Sequence, residues 1–471
     1  MTEYDIIVIG AGTAGLTVAK LTSKAGRRVA IIERARPGGD CLWTGCVPTK
    51  ALIESARRYH QACTSGEFGV AAENVSFDFS AARRHIAESQ RLAGEPDSPA
   101  VIAAAGVTLV QGEASFIDAH TIDVNSERLS AAQIVIATGG EPAVPDIPGL
   151  RDAEPDTNVE ALSWETLPES LGIIGGGPIG IEFAQALGRL GVAVTVLEAS
   201  DRILEREEPK AAKVITEVLA REGVTVLTKA TVTSVERNGA SRRIAIEHGG
   251  RTQTLEFERI LVATGRKPEL DSLRLDRAGV EHTKAGITVD ASLRTSQPDI
   301  FATGDITGGP AFTHVAEAQG RLVANIITGS AVTRRFQKWN DRVIPRVTYT
   351  DPEVAAVGLT EADARKFHRG VRVWDVPLTQ VDRAIVTGAT DGYLRLITAP
   401  GFERWVPGLH GLVGDQIVGA SLVAPHAGDL LMPVVTAMKL RLPIGLLAWN
   451  MQAYPTLALG VRQVAGLPFD G

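Results

Sequence analysis

Two cysteines separated by four residues are the side chains of this protein best placed to do chemistry. They lie in Gly38-Gly39-Asp40-Cys41-Leu42-Trp43-Thr44-Gly45-Cys46-Val47-Pro48-Thr49-Lys50 and are two of only three cysteines in 471 residues. Their spacing is a little over one helical turn, so a helix beginning near Cys41 would put both sulfurs on one face. A thiol at a helix N-terminus has its pKa lowered, because unpaired backbone N–H groups favour the thiolate. Sulfurs this close can form a disulfide and be reduced again, which is redox chemistry. Two buried cysteines in a glycine-rich loop would have the same local sequence. The elements around them decide.

The strand-like Ile6-Ile7-Val8-Ile9 runs into Gly10-Ala11-Gly12-Thr13-Ala14-Gly15, then a helical stretch, then Val29-Ala30-Ile31-Ile32 ending at Glu33. Gly10 permits the tight turn, Gly12 lets backbone approach a pyrophosphate, and Gly15 allows close packing of helix on strand. The phosphates sit at the helix N-terminus and the acid bonds a ribose hydroxyl. The pattern recurs as Leu171-Gly172-Ile173-Ile174, Gly175-Gly176-Gly177-Pro178-Ile179-Gly180 and Val194-Thr195-Val196-Leu197-Glu198. Positions 10 to 33 and 175 to 198 span the same 23 steps, with Gly175, Gly177 and Gly180 repeating the three glycine roles. Two fingerprints mean two dinucleotides with electron transfer between them, one FAD and the other a nicotinamide. Glu198 would accept from a free ribose 2′-hydroxyl and repel a 2′-phosphate, which favours NADH. Arg202 argues the other way, because it can pair with the phosphate of NADPH.

Composition narrows the class. The chain is too long for one core. It is rich in glycine (48 residues) and poor in aromatics (5%), as expected for α/β architecture. A formal charge of −7 without basic runs argues against nucleic acid or an anionic membrane as partner. Three cysteines make no disulfide framework, and neither a signal peptide nor a membrane-spanning run is evident. A cytoplasmic protein is expected, with no resident metal. Strands ending in Ala137-Thr138-Gly139 and Ala263-Thr264-Gly265 close the two nucleotide units, and the Pro/Gly stretch Glu141 to Gly149 reads as a linker. Ile300-Phe301-Ala302-Thr303 ends at Gly304-Asp305, so the second unit reads as inserted in the first. The expected fold is two Rossmann-like units plus a C-terminal α+β domain of short alternating strands and helices. Its expected divisions are 1–148 and 265–335 for FAD, 149–264 for NAD(P), and 336–471 for dimerisation.

These motifs, with Ala263-Thr264-Gly265-Arg266-Lys267-Pro268 and Tyr349-Thr350-Asp351-Pro352-Glu353-Val354-Ala355, resemble the class I pyridine nucleotide-disulfide oxidoreductases over nearly the whole chain. That family includes glutathione reductase, dihydrolipoamide dehydrogenase and mercuric reductase. The resemblance implies a homodimer in which electrons pass from nicotinamide through FAD to a Cys41/Cys46 disulfide. Cys46 would be the charge-transfer thiol and Cys41 the interchange thiol. Lys50 and Glu182 would form an ion pair near the flavin. Gly39, Thr138, Gly139 and Gly265 would line the cofactor sites, and Asp305 would accept from the ribityl chain. Cys63 is expected in the core.

One departure matters. Family members that reduce organic disulfides carry a C-terminal His-Pro-Thr with a glutamate five residues after the histidine, a pair that handles the thiol proton. Here Tyr454-Pro455-Thr456 and Leu459 occupy those positions. Tyr454 is a poor base at neutral pH but can hydrogen-bond a sulfur or a metal-bound group. His426 is the nearest histidine that could substitute. Mercuric reductases likewise carry tyrosine there, though usually with a C-terminal cysteine pair, where this chain reads Leu467 to Gly471. Trp43 stands between the cysteines where asparagine is usual, either narrowing access or filling core. The expected activity is transfer from NAD(P)H to a small acceptor such as a thiophilic metal ion or reactive disulfide. Two alternatives stand beside it: a quinone reductase or diaphorase working at the flavin without the dithiol, and a catalytically vestigial flavoprotein with a binding role.

Overall fold

The computed structural model describes residues 2–401 and 413–469. The apolar run Ile6–Ile9 needs cover on both faces, and β1 (Thr2–Ile9) obtains it at the centre of a seven-stranded sheet. It pairs in parallel with β2 (Val29–Glu33) on one side and with Glu127–Ile136 on the other. Between β1 and β2 runs α1 (Thr13–Lys24). The ten-residue strand Glu127–Ile136 serves two partners on its far edge. Glu127–Ser130 pairs with the hairpin strand Thr121–Val124, while Ile134–Ile136 pairs with the returning strand Ile300–Ala302.

The second unit lies between that strand and its return and is therefore inserted in the first, while Leu273, Leu275, Ala278, Val280 and Ile287 pack back into the first unit's core. Its parallel sheet has the order Thr225–Leu227, Ala193–Leu197, Ser170–Ile174, Arg259–Val262, and a three-stranded antiparallel meander spans 231–257. Both sheets place the glycine turn at the C-terminal end of a central strand, where parallel α/β sheets bind ligands.

The third unit is a five-stranded antiparallel sheet in the order Pro345–Thr348, Glu353–Gly358, Gln416–Ala424, Tyr393–Ala399, Arg372–Pro377. Its central strands are buried on both faces, not alternately exposed as the sequence pattern predicts. Helices Met432–Leu440 and Leu457–Gly466 cover one face. On the other, Val354, Tyr393 and Val423 join a core that includes Leu52, Ile53 and Phe183. The redox segment is thus packed between two other units. Among the described residues, no helix is long and apolar enough to cross a membrane.

Candidate active site

The two glycine turns fold alike because the same local chemistry closes them. Glu33 Oε2 accepts from Ala11 N at 2.8 Å and Oε1 from Ala35 N at 2.8 Å. Glu198 does the same with Gly176 N at 2.6 Å and Ser200 N at 2.7 Å. A Cβ on Gly15 or Gly180 would collide with the carbonyl of Gly10 or Gly175, so helix and strand can meet only through glycine. Gly12 Cα would lie 2.8 Å from a Cβ on Gly39, whose φ of +65° also favours glycine. That contact seats the redox segment directly on the first turn.

The cysteines do not share one helix. Cys41 lies in α2 (Gly39–Trp43) and Cys46 opens α3 (Cys46–Thr64). Thr44 (φ −134°, ψ 0°) and Gly45 (φ −121°, ψ −116°) break the backbone between them. Cys46 therefore stands at the N-terminus of a 19-residue helix. Both thiols are free. Cys41 hydrogen-bonds the Cys46 sulfur, Thr313 Oγ1 lies 3.5 Å from Cys46 Sγ, and the Lys50 ammonium is nearby. These outweigh burial and Glu182, lowering the Cys46 thiol to about 6. The same hydrogen bond, with burial, pushes Cys41 well above the ordinary thiol range.

Lys50, one turn along α3, places Nζ 2.7 Å from Glu182 Oε2, on the helix Pro178–Arg189. On the other side, Arg266 joins Asp40, the Gly140 carbonyl and Asp305, the last at 3.6 Å. Burial raises the Asp305 carboxyl while Arg266 pulls it down. The fit to a flavin nucleotide can be tested on this geometry. A cleft opens at the first turn, lined by Gly10, Glu33 and Thr138 among others. Thr138 Oγ1 and Thr303 Oγ1, in the two turns beside that cleft's sheet, are buried with no hydrogen-bond partner. Unpaired buried hydroxyls are costly unless a ligand uses them. The residues fit FAD. A larger surface recess beside Glu169 and Arg242 shares no residue with either fingerprint.

Sequence comparison decides the family. The profile described as pyridine nucleotide-disulphide oxidoreductase matches residues 4–320, and that of the same family's dimerisation domain matches residues 344–465. The chain belongs to the pyridine nucleotide-disulphide oxidoreductases. It is 34% identical to mercuric reductase of Staphylococcus aureus over 99% of this chain and 83% of that protein. It is 35% identical to dihydrolipoyl dehydrogenase of Geobacillus stearothermophilus over 97% and 94%. The HOCl-induced flavoprotein disulfide reductase RclA of Escherichia coli, solved as a Cu(II) complex, superposes with a TM-score of 0.85 at 28% identity, covering 99% and 100%. As a member of this family the chain is an FAD-dependent oxidoreductase using NAD(P)H.

Other expected site residues lie elsewhere. Tyr454 is 70% exposed, and its hydroxyl donates to Asp382 Oδ2 at 3.0 Å, which raises the phenol's pKa. His426 is exposed at the start of the helix Ala427–Leu430. Trp43 is half-buried, not core: its indole N–H donates to Pro37 O at 2.8 Å and Arg36 stacks 4.0 Å above the ring. Cys63 is exposed, contrary to the core position expected, because α3 outruns its cover beyond Ala56. Thr313, Gln90, Asn158 and Arg266 reach the redox segment without having been singled out. Only Arg266 stood in a recognisable motif.

Proposed function

We propose that this protein passes electrons from NAD(P)H through the Cys41/Cys46 dithiol to a small acceptor that needs little general-base help, a thiophilic metal ion or a reactive disulfide. The carrying observation is the pair of free thiols Cys41 and Cys46, with Cys46 opening α3 beside the Thr313 hydroxyl and the Lys50–Glu182 ion pair. Bound FAD would supply the two-electron relay between nicotinamide and sulfur. The residues of the chain do the rest. Gly10, Gly12 and Gly15 with Glu33 hold the flavin nucleotide, and Asp305, Thr138 and Gly139 border it. Lys50 and Glu182 keep a fixed charge pair beside Cys46. Cys41 passes its proton to the neighbouring Cys46 thiolate and binds the acceptor as the thiolate; Cys46 then loses that proton to solvent and closes the Cys41–Cys46 disulfide, and the acceptor leaves reduced by two electrons. Tyr454 and Leu459 supply neither a base for the interchange thiol nor an acid for a leaving thiolate, which favours acceptors such as metals.

Glu198 keeps its carboxylate at the second glycine turn, where a ribose hydroxyl would be read, while Arg202 is turned to Asp201 at 3.3 Å and to the Glu205 carbonyl at 2.7 Å. That arrangement supports NADH over NADPH. The apolar side chains of Met451 (94% exposed), Leu446 and Trp449 lie near Tyr454 in sequence, within the region matching the dimerisation domain. A homodimer that covers them and brings Tyr454 to its partner's dithiol follows naturally, with 1–148 and 265–335, 149–264, and 336–471 as the working divisions. Serine at both Cys41 and Cys46 tests the reading. Metal and disulfide reduction should vanish while quinone reduction at the flavin survives; metal reduction that persists would contradict it.

A further inference from the structure

The four carbonyl oxygens between Cys41 and Cys46 all carry side-chain donors. Gln90 Nε2, on the helix Phe79–Gly94, donates to Trp43 O at 2.8 Å and Leu42 O at 3.3 Å. Asn158 Nδ2 donates to Thr44 O at 2.6 Å, and Thr49 Oγ1 to Gly45 O at 2.6 Å. Asn158 is the most telling of these. It is 7% exposed, and a buried amide left unpaired is destabilising. Its own position is fixed twice over. Thr157 and Glu160 form a capping box on the one-turn helix Asn158–Ala161. Asp156 is stitched to the second nucleotide sheet, its N–H donating to Ile260 O and its carbonyl accepting from Val262 N, both at 2.8 Å. Asn158 therefore rides on the nicotinamide-binding unit yet donates to the redox loop. With Lys50–Glu182, it is the second tie from that unit, and the two bracket Cys46 at Thr44 and at Lys50.

We propose that Asn158 is a positioning residue for the dithiol, holding the Thr44 carbonyl so that the loop keeps Cys41 within hydrogen-bonding reach of Cys46. This rests on the dithiol reading of the function. The loop is short, so rotation of the Thr44 peptide moves both sulfurs. A released carbonyl is free to turn toward the thiolate, which it repels, and the Cys41 hydrogen bond lengthens. Cys46 then holds its proton to higher pH, although no residue touching the sulfurs has changed.

The test is the pH profile of Cys46 alkylation by iodoacetamide in the reduced holoenzyme, resolved by site with mass spectrometry. Asn158→Ala should move the midpoint upward by about one unit, a tenfold change in proton affinity. Asn158→Asp should move it further, because a carboxylate faces the carbonyl. Asn158→Ser keeps a polar group in the buried site but falls short of Thr44; it should shift like alanine and serves if alanine fails to fold. Thr157→Ala removes one of the two supports of Asn158 but leaves the amide and the Asp156 bonds to the sheet, so its profile should shift less than that of Asn158→Ala. Coincident profiles for wild type and the Asn158 variants, or an equal shift for Thr157→Ala, would overturn the proposal. Wild-type electron uptake per flavin separates the two levels. Two electrons would remove the dithiol reading itself, whereas four with coincident profiles would remove only the role of Asn158.

Discussion

Lys50 Nζ sits 2.7 Å from Glu182 Oε2 while Glu182, only 4% exposed, takes the Tyr349 N–H on its other oxygen at 2.9 Å. The ammonium also lies 4.5 Å above the Tyr349 ring. A buried carboxylate with two donors is satisfied, and its charge and that of Lys50 act on Cys46 with opposite sign. Lys50→Met should raise the Cys46 thiol pKa, and Glu182→Gln should lower it. Lys50→Met also leaves a buried carboxylate with one donor. Removing one member of a fully buried pair costs about 3–5 kcal/mol, but Lys50 is one-third exposed, so about 1–3 kcal/mol is expected in denaturant unfolding.

The Cys46 thiolate should be lost as pH falls through about 6, because its lowered pKa places the charged form above that value. In the reduced holoenzyme, the long-wavelength absorbance of a thiolate beside flavin should fade with that midpoint. Cys46→Ser should lack the band at every pH, and Cys41→Ser should keep it. Cys41→Ala, which removes the main donor to Cys46, should keep the band with its midpoint moved upward.

Thr313 lies at the first turn of the helix Thr313–Thr328, and its hydroxyl is 3.5 Å from Cys46 Sγ. Thr313→Val should raise the Cys46 midpoint, and Thr313→Ser should restore it. A shift shared by both variants would point to lost packing instead of a lost hydroxyl.

How far the site was legible in sequence follows from how local its causes are. The fingerprint turns were readable because Glu33 and Glu198 bond backbone N–H groups within their own strand–turn–helix units. Lys50 and Glu182 were paired through family resemblance, and they meet. Thr313, Gln90 and Asn158 carry no such mark; each reaches the loop from 47 to 267 residues away, through packing that one sequence does not display. The expectation of one helix through both cysteines failed at Thr44–Gly45, where α2 ends and α3 begins. Cys63 lies seven residues beyond buried Ala56, on the same helical face, but periodicity gives a face and not the neighbour that covers it.

Tyr454→His with Leu459→Glu should restore a proton-handling pair. Reduction of small organic disulfides should rise by about 10²-fold or more, within the range of general acid–base catalysis. Metal reduction should change little. The comparison of kcat/KM for both acceptors checks it.

Gly180→Ala should damage nicotinamide use selectively. The added methyl meets the Gly175 carbonyl and the Ala263 side chain in the second fingerprint, far in sequence from Gly10–Gly15. The purified variant should retain flavin, reducible by dithionite, but lose reduction by NADH.

Anaerobic titration of the wild-type holoenzyme with NADH tests the central claim most directly. A working Cys41/Cys46 dithiol predicts four electrons taken up per flavin. Uptake of two would contradict the account, leaving the flavin as the only electron store.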